Sequence, residues 1–389
     1  MPLQVAERVS YVSRFTGTAK ALAILGMSRV IVLMGMAFSA SYLKPYPLPR
    51  WNIPAPWWWR GLVHFDSAFY LAIAQSGYQY NGNPLEGQSI VFFPGYPILL
   101  RAVAQVLRIT LPASAVIVSN VCAAGAAVLL FHLVARLWDQ ETALLTVAAV
   151  CLFPSSLFLS AAYAESAGLL FTVAAFVFLF RGRVALSAIC AGCASGIRPL
   201  GFLLAIPLIY AIWRRSGRRF SLRFLAYAGA AGAAAVSGVT GFALYCWIKF
   251  HDPMAFVHAR AAWSAEGSPA GHTAWKQLTA PIGLHYLPNL SDPWFFLVFA
   301  GIMIALWKRL PMELNLYTAS SMLALLAARV FQNAGFISMN RYLLLLFPCM
   351  IGMALLAAGR PWLTAAVSAV FGAMLFVGAA LFAQWYWAG

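Results

Sequence analysis

One acidic residue, Asp66, stands in a polar and aromatic segment of a chain that has few acids. Only 10 of the 389 residues are Asp or Glu, and Asp66 lies between His64 and Tyr70, just after the first long apolar stretch. A carboxylate there can act as a general base that accepts the proton of an attacking hydroxyl group. Asp is also a common helix N-cap residue. The spacing alone therefore leaves two alternatives open for Asp66, catalysis and capping.

Three arginines are candidates for holding an anion on the same side of the protein. Arg198 lies in the sequence Gly196-Ile197-Arg198-Pro199, where the proline interrupts an apolar stretch, and Arg329 and Arg341 lie near the ends of two other apolar stretches. Cations stabilise phosphate groups and developing negative charge. The alternative for each arginine is that its long side chain extends to the lipid headgroups.

Glu165 is the only acid well inside an apolar stretch, near the outer end of that stretch. A buried acid must be neutral, paired or hydrogen-bonded. Glu165 could pair with Arg198 or orient a substrate hydroxyl group. Because structural ion pairs perturb buried acids in the same way, a purely structural role is the alternative.

Further substrate-binding candidates flank these residues in two polar segments. His64, Tyr70 and Tyr96 lie in the first segment, and His251 and Asp252 open the second. Asp66, His251 and Asp252 could together bind a divalent cation such as Mn²⁺ or Mg²⁺, which oxygen and imidazole ligands suit. Their spacing is not diagnostic of a metal site. We expect a reaction that needs no metal and no other cofactor.

The composition indicates that these residues are positioned by membrane-spanning helices. The chain is 62% hydrophobic and 9% charged, with a mean hydropathy of +0.79. A spanning helix needs about 20 mostly apolar residues. We predict an all-α polytopic membrane protein, one domain over residues 1–389, with about eleven spans: 18–43, 113–135, 142–158, 160–180, 184–197, 199–213, 224–248, 291–307, 313–333, 341–358 and 362–388.

Basic residues in short loops predict the orientation, because such loops stay cytoplasmic. Residues 44–112 and 249–290 are then two large extracytoplasmic loops. In the first loop we predict a short helix from Ser67 to Gln75, ended by Gly77 in the left-handed conformation, and an amphipathic helix from Pro97 to Leu111 along the membrane surface. The positive-inside rule and attraction to anionic lipid explain most of the net charge of +16, which argues against nucleic acid as a partner.

Several motifs resemble, in order along the chain, those of the phosphatidylinositol-glycan class V mannosyltransferases. These enzymes belong to the type C (GT-C) polytopic glycosyltransferases. Asp66-Ser67, Gly77-Tyr78 and Phe93-Pro94-Gly95-Tyr96-Pro97 resemble the first luminal loop of that family, although Ser67 stands where many GT-C enzymes have a second acid. Two later stretches, residues 250–256 and 339–348, resemble motifs of its bacterial relatives.

The resemblance implies a GT-C-type fold and an inverting transfer of mannose. The donor would be a polyprenyl-phosphate-linked sugar, and the acceptor a hydroxyl group of a glycan or glycolipid. It implies Asp66 as the general base, and a phosphate leaving group needs no second carboxylate to protonate it. Arg341, which lies in a family-like motif, is the foremost candidate for binding the donor phosphate. We expect Asp66 to face these guanidinium groups across a gap that admits a sugar.

A transporter or lipid flippase without transferase activity is the main alternative. A conduction path predicts polar residues distributed through the spans. Six acids instead map to the outer side or its rim: Asp66, Glu86, Glu165, Asp252, Glu266 and Asp292. That asymmetry favours a reaction site on one side of the membrane. We expect an enzyme of the bacterial inner membrane whose site faces the periplasm.

Overall fold

The structure is a computed structural model that describes residues 11–47, 53, 55–56, 59–263, 291–331, 336 and 338–388; the side chains of residues 11–14, 263 and 329–331 lie outside the description. Within these ranges all regular structure is helical. The α-helices are Tyr11–Tyr42 (α1), Ser67–Ser76 (α2), Gly95–Leu107 (α3), Leu111–Leu137 (α4), Gln140–Leu152 (α5), Glu165–Phe180 (α6), Val184–Ile197 (α7), Ala205–Arg215 (α8), Leu222–Phe250 (α9), Ala255–His258 (α10), Asp292–Ala305 (α11), Met312–Phe331 (α12), Met339–Leu343 (α13), Phe347–Ala357 (α14) and Pro361–Ala383 (α15). Short 3₁₀ helices cover Arg60–Leu62, Ser89–Val91, Pro154–Leu159, Pro199–Leu204 and Ala259–Trp263.

Four of the described helices are long and apolar enough to cross a membrane by length and composition: Phe15–Tyr42, Leu111–Leu137, Leu222–Phe250 and Pro361–Ala383. Several shorter apolar helices pack among them. The chain is therefore a multi-pass membrane protein. The number of eleven spans, the orientation and the two outer loops stay predictions, and residues 264–290 of the second loop lie outside the described residues.

Prolines break several stretches that hydropathy predicts as continuous. The predicted spans 142–158 and 160–180 become α5, a 3₁₀ helix that begins at Pro154, and α6, which begins only at Glu165. In the same way Pro199 opens a 3₁₀ helix before α8, and Pro348 lies in the first turn of α14. Proline lacks a backbone N–H and is tolerated only in the first turn of a helix, so a new helix begins at or directly before each of these prolines. After the break that begins at Pro154, the α-helix resumes at Glu165, so Glu165 lies at the start of α6.

Glycines allow α7 and α9 to pack closely. A Cβ added at Gly238 of α9 would lie 2.1 Å from the backbone nitrogen of Gly196 in α7, and one at Gly192 would lie 2.5 Å from the carbonyl oxygen of Ala234. No side chain fits in these positions, so the two backbones are in direct contact, as in membrane helices that pack through small residues. This contact holds the end of α7, and with it Arg198.

The helices of residues 44–112, the predicted first outer loop, agree with the sequence analysis except in detail. The predicted helix 67–75 is α2, Ser67–Ser76, and Gly77 follows it with φ 80 and ψ −165. The positive φ is as predicted, but this ψ is extended rather than left-handed helical, so the chain turns away at once. The predicted helix 97–111 is α3, Gly95–Leu107, and it buries Tyr96, Leu100 and Ala104 on one face. Helix α4 starts at Leu111, so that residue belongs to a different helix.

Candidate functional site

Asp66 directly precedes α2, and its carboxylate does not cap that helix. The backbone of Asp66 has φ −57 and ψ −20, and its side chain makes no capping hydrogen bond. Instead Oδ2 accepts a hydrogen bond from Nη1 of Arg341 at 2.8 Å. The backbone N–H of Asp66 donates to the hydroxyl oxygen of Tyr163 at 3.2 Å, which fixes the start of the helix to the segment before α6. The capping alternative for Asp66 is therefore wrong.

Glu165 joins the two buried arginines. Its Oε1 lies 2.6 Å from Nε of Arg341 and also forms an ion pair with Nη1 of Arg198. The predicted pair between Glu165 and Arg198 is thus present, and Arg341 links it to Asp66. Four residues that are far apart in sequence form one chain of contacts, from Asp66 through Arg341 and Glu165 to Arg198.

Burial differs along this chain of charges, and the difference places the rim of the site at Asp66. The Glu165 side chain is 0% exposed, both guanidinium-bearing side chains are 8% exposed, and the Asp66 side chain is 17% exposed. Two carboxylates balance two guanidinium groups, which a buried site requires because unpaired charge is costly there. The second carboxylate oxygen of Glu165, Oε2, is buried without a hydrogen-bond partner among the described residues.

The gap that we expected between Asp66 and the arginines is absent from this structure. Asp66 and Arg341 are in direct contact, because opposite charges attract strongly where little water screens them. A small cavity of about 10 Å³ lies instead beside Arg198, and its lining includes Gly168, Thr172, Tyr317 and Tyr342. Its volume suits about one water molecule.

The position of Arg341 follows from contacts at the start of α13. The buried carboxylate of Asp292 accepts the backbone N–H groups of Met339 and Asn340, both at 3.2 Å. The Ser155 hydroxyl donates to the Asn340 carbonyl oxygen at 2.9 Å. These bonds fix the turn that carries Arg341.

Aromatic rings surround the Arg341 guanidinium. Its Cζ lies 5.1 Å from the ring centroid of Tyr163, 5.4 Å from that of Phe158 and 5.6 Å from that of Trp387. Such contacts favour a cation that has left water. The rings also limit where a ligand can approach, leaving the Asp66 side as the more exposed one.

Three predicted site residues pack near the cluster without joining it. The Tyr96 hydroxyl is buried and donates to the Ala115 carbonyl oxygen at 3.1 Å. The His64 ring stacks on Trp385 with 4.0 Å between centroids, and its Nδ1 lies 3.1 Å from the Phe382 carbonyl oxygen. Tyr70 is buried, and its ring packs edge-on against Tyr96. Tyr70 and Tyr96 thus pack α2 against α3, and His64 packs the turn before α2 against the end of α15.

His251 and Asp252 lie apart from the buried cluster. His251 is exposed at the end of α9. Asp252 accepts hydrogen bonds from His258 Nδ1 at 2.8 Å, from the Met254 N–H at 2.9 Å and from the Tyr80 hydroxyl at 3.2 Å. Burial acts to raise the pKa of Asp252, but these three hydrogen bonds outweigh it and lower the pKa below its usual value.

The described residues contain no group of three or more His, Cys, Asp or Glu side chains that could hold a metal ion. The structure thus does not bring Asp66, His251 and Asp252 together as a ligand set. The third arginine candidate, Arg329, belongs to α12, but its side chain lies outside the described residues.

Sequence reasoning missed three residues at the site. Asp292 appeared only as one acid on the outer side, although the sequence Ser291-Asp292-Pro293 is typical of a helix start. Tyr163 links Asp66 to the segment before α6, and its hydroxyl donates to the His64 carbonyl oxygen at 3.1 Å. Arg260 donates to the Tyr342 hydroxyl at 3.2 Å. No local pattern marks the last two.

Taken together, these elements define a multi-pass membrane protein with a buried cluster of carboxylates and arginines beside the start of a short helix. Residues 53–221 match the family described as Mannosyltransferase (PIG-V). That family consists of mannosyltransferases, which are glycosyltransferases. The resemblance stated above is thereby confirmed over this segment, which includes Asp66, Glu165 and Arg198 but not Arg341.

Curated relatives give the same indication. The chain is 31% identical over 156 residues to GPI alpha-1,6-mannosyltransferase 2 of Homo sapiens, a match that covers 37% of this chain and 30% of that protein. It is 31% identical over 162 residues to the Mus musculus protein of the same name, covering 37% and 31%, and 30% identical over 135 residues to GPI mannosyltransferase 2 of Drosophila pseudoobscura pseudoobscura, covering 30% and 28%. The chain thus spans less than a third of the length of these relatives.

Among solved structures, an Archaeoglobus fulgidus oligosaccharyltransferase is similar. Its crystal structure in complex with zinc and sulfate aligns with this chain at a TM-score of 0.43 and 14% sequence identity, and the alignment covers 91% of this chain and 52% of that chain. The GT-C-type arrangement stays a prediction.

Proposed function

We propose that this protein is an inverting glycosyltransferase. It moves a mannose, or a closely related hexose, from a polyprenyl-phosphate-linked donor to a hydroxyl group of a glycan or glycolipid acceptor. The single observation that carries the proposal is the pairing of Asp66, the most exposed member of the buried charged cluster, with Arg341. It joins a carboxylate that can take a proton to a cation that can bind a phosphate. The family match over residues 53–221 supports the choice of sugar.

In the proposed reaction the acceptor oxygen attacks the anomeric carbon while its proton passes to Asp66. The bond from that carbon to the phosphate oxygen breaks, and the polyprenyl phosphate leaves with the electron pair. Arg341 and Arg198 stabilise the charge that develops on the leaving phosphate. Because a phosphate is a weak base, no acid has to protonate it, so one carboxylate suffices.

Asp66 is engaged by Arg341 before the reaction, and this contact must be exchanged. A donor phosphate offers Arg341 a charge-assisted bond of the same kind. Its arrival therefore displaces Asp66, which then becomes free to accept a proton. Glu165 keeps both arginines in place throughout, because it contacts them from the fully buried side. Its role is that of a positioning residue.

The proposed setting is the extracytoplasmic side of a membrane, with bacterial inner membrane as the expectation. The helices beside the site are held by packing: Tyr70 contacts Tyr96 between α2 and α3, and His64 contacts Trp385. Asp252 and His251 lie in the second outer loop, where they could contact the acceptor. The reaction is proposed without a metal ion or another cofactor.

A transfer assay tests this proposal. The purified protein is incubated with radiolabelled polyprenyl phosphomannose and a crude lipid acceptor, and we expect a new glycosidic product. Asp66→Asn should reduce its formation by about 10²–10⁴-fold, the usual contribution of a general base. The matched control is Glu86→Gln, an exposed acid of the same outer segment that accepts hydrogen bonds from Asn81 and Asn83.

Two outcomes would contradict the proposal. Product formation by Asp66→Asn at the wild-type rate would remove Asp66 from the mechanism. Movement of the labelled lipid across a vesicle membrane without any product would instead favour the transporter or flippase.

A further inference from the structure

The buried cluster has no spare positive charge for a ligand. Arg198 and Arg341 are balanced by Glu165 and Asp66, and each guanidinium contacts a carboxylate. An anionic ligand would have to compete with these acids. A phosphate site at this position therefore calls for an additional cation nearby.

Arg260 has the properties of that cation. It lies half-buried in the 3₁₀ helix Ala259–Trp263, and its Nη2 donates to the Tyr342 hydroxyl at 3.2 Å. The face of the same Tyr342 ring carries the Arg198 guanidinium, whose Cζ lies 4.9 Å from the ring centroid. Among the ranges described, no Asp or Glu forms an ion pair with Arg260. One tyrosine side chain thus contacts two guanidinium groups, of which only Arg198 is paired with a carboxylate among the described residues.

This arrangement favours an anion electrostatically. Two like charges held around one ring repel each other, and the low polarity of the surroundings strengthens that repulsion. A phosphate group bound between them turns repulsion into attraction. Arg198 and Arg341 both contact Oε1 of Glu165, so a phosphate bound at Arg198 would lie close to the guanidinium that pairs with Asp66.

We infer that Arg260 is a further binding residue of this site, the one that supplies its unbalanced positive charge to the phosphate group of a polyprenyl-linked ligand. The inference rests on the proposed function for the identity of the ligand. In this inference Arg260 binds the phosphate through its positive charge, and Tyr342 holds Arg260 near Arg198. Anionic membrane lipids carry the same phosphodiester chemistry and are the competing source of the ligand.

A binding experiment tests the inference without any transfer. A fluorescent polyprenyl phosphate is titrated into the full chain in nanodiscs of neutral phosphatidylcholine. Arg260→Gln keeps a polar side chain but removes the charge, and it should weaken binding by about tenfold, the effect expected when one charge-assisted hydrogen bond is lost. Arg260→Lys keeps the charge and should stay within about threefold of the wild type. Arg101→Ala, which removes an exposed arginine of α3, is the control and should bind as the wild type does.

Two further titrations separate the outcomes. The unphosphorylated polyprenol should bind the wild type and Arg260→Gln equally, and adding phosphatidylglycerol to the discs should not displace the polyprenyl phosphate. Equal phosphate binding by Arg260→Gln and wild type would overturn the inference, as would equal losses for polyprenol and polyprenyl phosphate, which indicate damage to the fold. Displacement by phosphatidylglycerol would overturn the assignment to a polyprenyl ligand. A wild type that binds through Arg260 but transfers no sugar would refute the proposed function alone.

Discussion

Two arginines of this protein lie among apolar helices, and their surroundings differ in kind. Arg29 of α1 donates to neutral oxygens, namely the Ser156 carbonyl at 3.0 Å and the Ser160 hydroxyl at 2.8 Å, with weaker contacts to Ser28 and Cys151. Within the described part of the chain it has no carboxylate partner. Arg341 instead contacts the carboxylates of Asp66 and Glu165.

This difference distinguishes a buried arginine that stabilises the structure from one that can bind a ligand. The contacts of Arg29 satisfy the backbone around the break between α5 and α6, where non-helical chain is tolerated only if its polar groups are paired. No other anion is needed there. The partners of Arg341 are themselves ions, so an anionic ligand can replace one of them.

The largest expected effect separates these two arginines directly. Arg341→Gln leaves two carboxylates without their shared cation, so we expect a loss of about 3–5 kcal/mol in the free energy of unfolding. The KM for the donor should rise more than about tenfold, because the loss of a hydrogen bond to a charged group has that size. Thermal unfolding in detergent and the transfer assay measure both.

The matched variant for that prediction is Arg29→Gln. It loses hydrogen bonds to neutral oxygens, which costs about 1–3 kcal/mol, and its donor KM should stay at the wild-type value. If Arg29→Gln raised the donor KM as much as Arg341→Gln does, the distinction between the two surroundings would be wrong.

A double-mutant cycle on Glu165 and Arg198 measures the energy of an ion pair that Arg29 lacks. Glu165→Gln leaves Arg198 buried without its carboxylate, and Arg198→Met leaves Glu165 with Arg341 only. Because both single changes remove the same ion pair, the two effects on unfolding free energy should be coupled by about 1–3 kcal/mol. The same cycle between Glu165 and Arg29 should give no coupling. Additive effects of Glu165→Gln and Arg198→Met would show that their ion pair contributes nothing.

A smaller effect concerns the competition between Asp66 and the donor phosphate for Arg341. Asp66→Asn removes the competing charge, so a polyprenyl phosphate should bind this variant about three- to tenfold more tightly than the wild type, since a larger fraction of the protein is then competent to bind. Fluorescence titration in nanodiscs measures the change, and Glu86→Gln provides the reference. Weaker binding by Asp66→Asn would mean that the carboxylate contacts the donor instead of competing with it.

The sequence predicts which residues form the site better than it predicts the contacts between them. Asp66, Glu165, Arg198 and Arg341 all stand out as charges in apolar or aromatic surroundings, and hydropathy located the helices that carry them. Hydropathy does not detect breaks in a helix, however, so it predicts Glu165 within the span 160–180, whereas α6 begins at that residue. The contact between Asp66 and Arg341 joins residues 275 positions apart, and only the packed helices define it. The roles of Asp292 and Arg260 likewise depend on partners that no local pattern reveals.

Asp292 should have a moderate effect, through Arg341. Asp292→Asn weakens the hydrogen bonds to the Met339 and Asn340 amides, which costs about 1 kcal/mol and loosens the turn that presents Arg341. We expect kcat to fall a few-fold, and Asp292→Ala to lower kcat and the unfolding temperature further. Transfer kinetics with thermal unfolding test this. An unchanged kcat in Asp292→Ala would show that α13 holds Arg341 without Asp292.

The smallest effect lies outside the buried cluster, at Asp252. Hydrogen bonds from His258, the Met254 amide and Tyr80 lower its pKa against the effect of burial, so the folded protein holds this carboxylate charged to a lower pH than the unfolded chain does. The resulting stabilisation is complete above the unfolded pKa of about 3.9 and is lost as pH falls through the folded value. It amounts to less than about 1 kcal/mol because His258 is largely exposed. In unfolding scans at decreasing pH, the wild type should exceed Asp252→Asn in stability at pH 6. The two should converge as the pH falls through the lowered pKa of the folded protein. A constant difference over that range would mean that the charge of Asp252 contributes nothing.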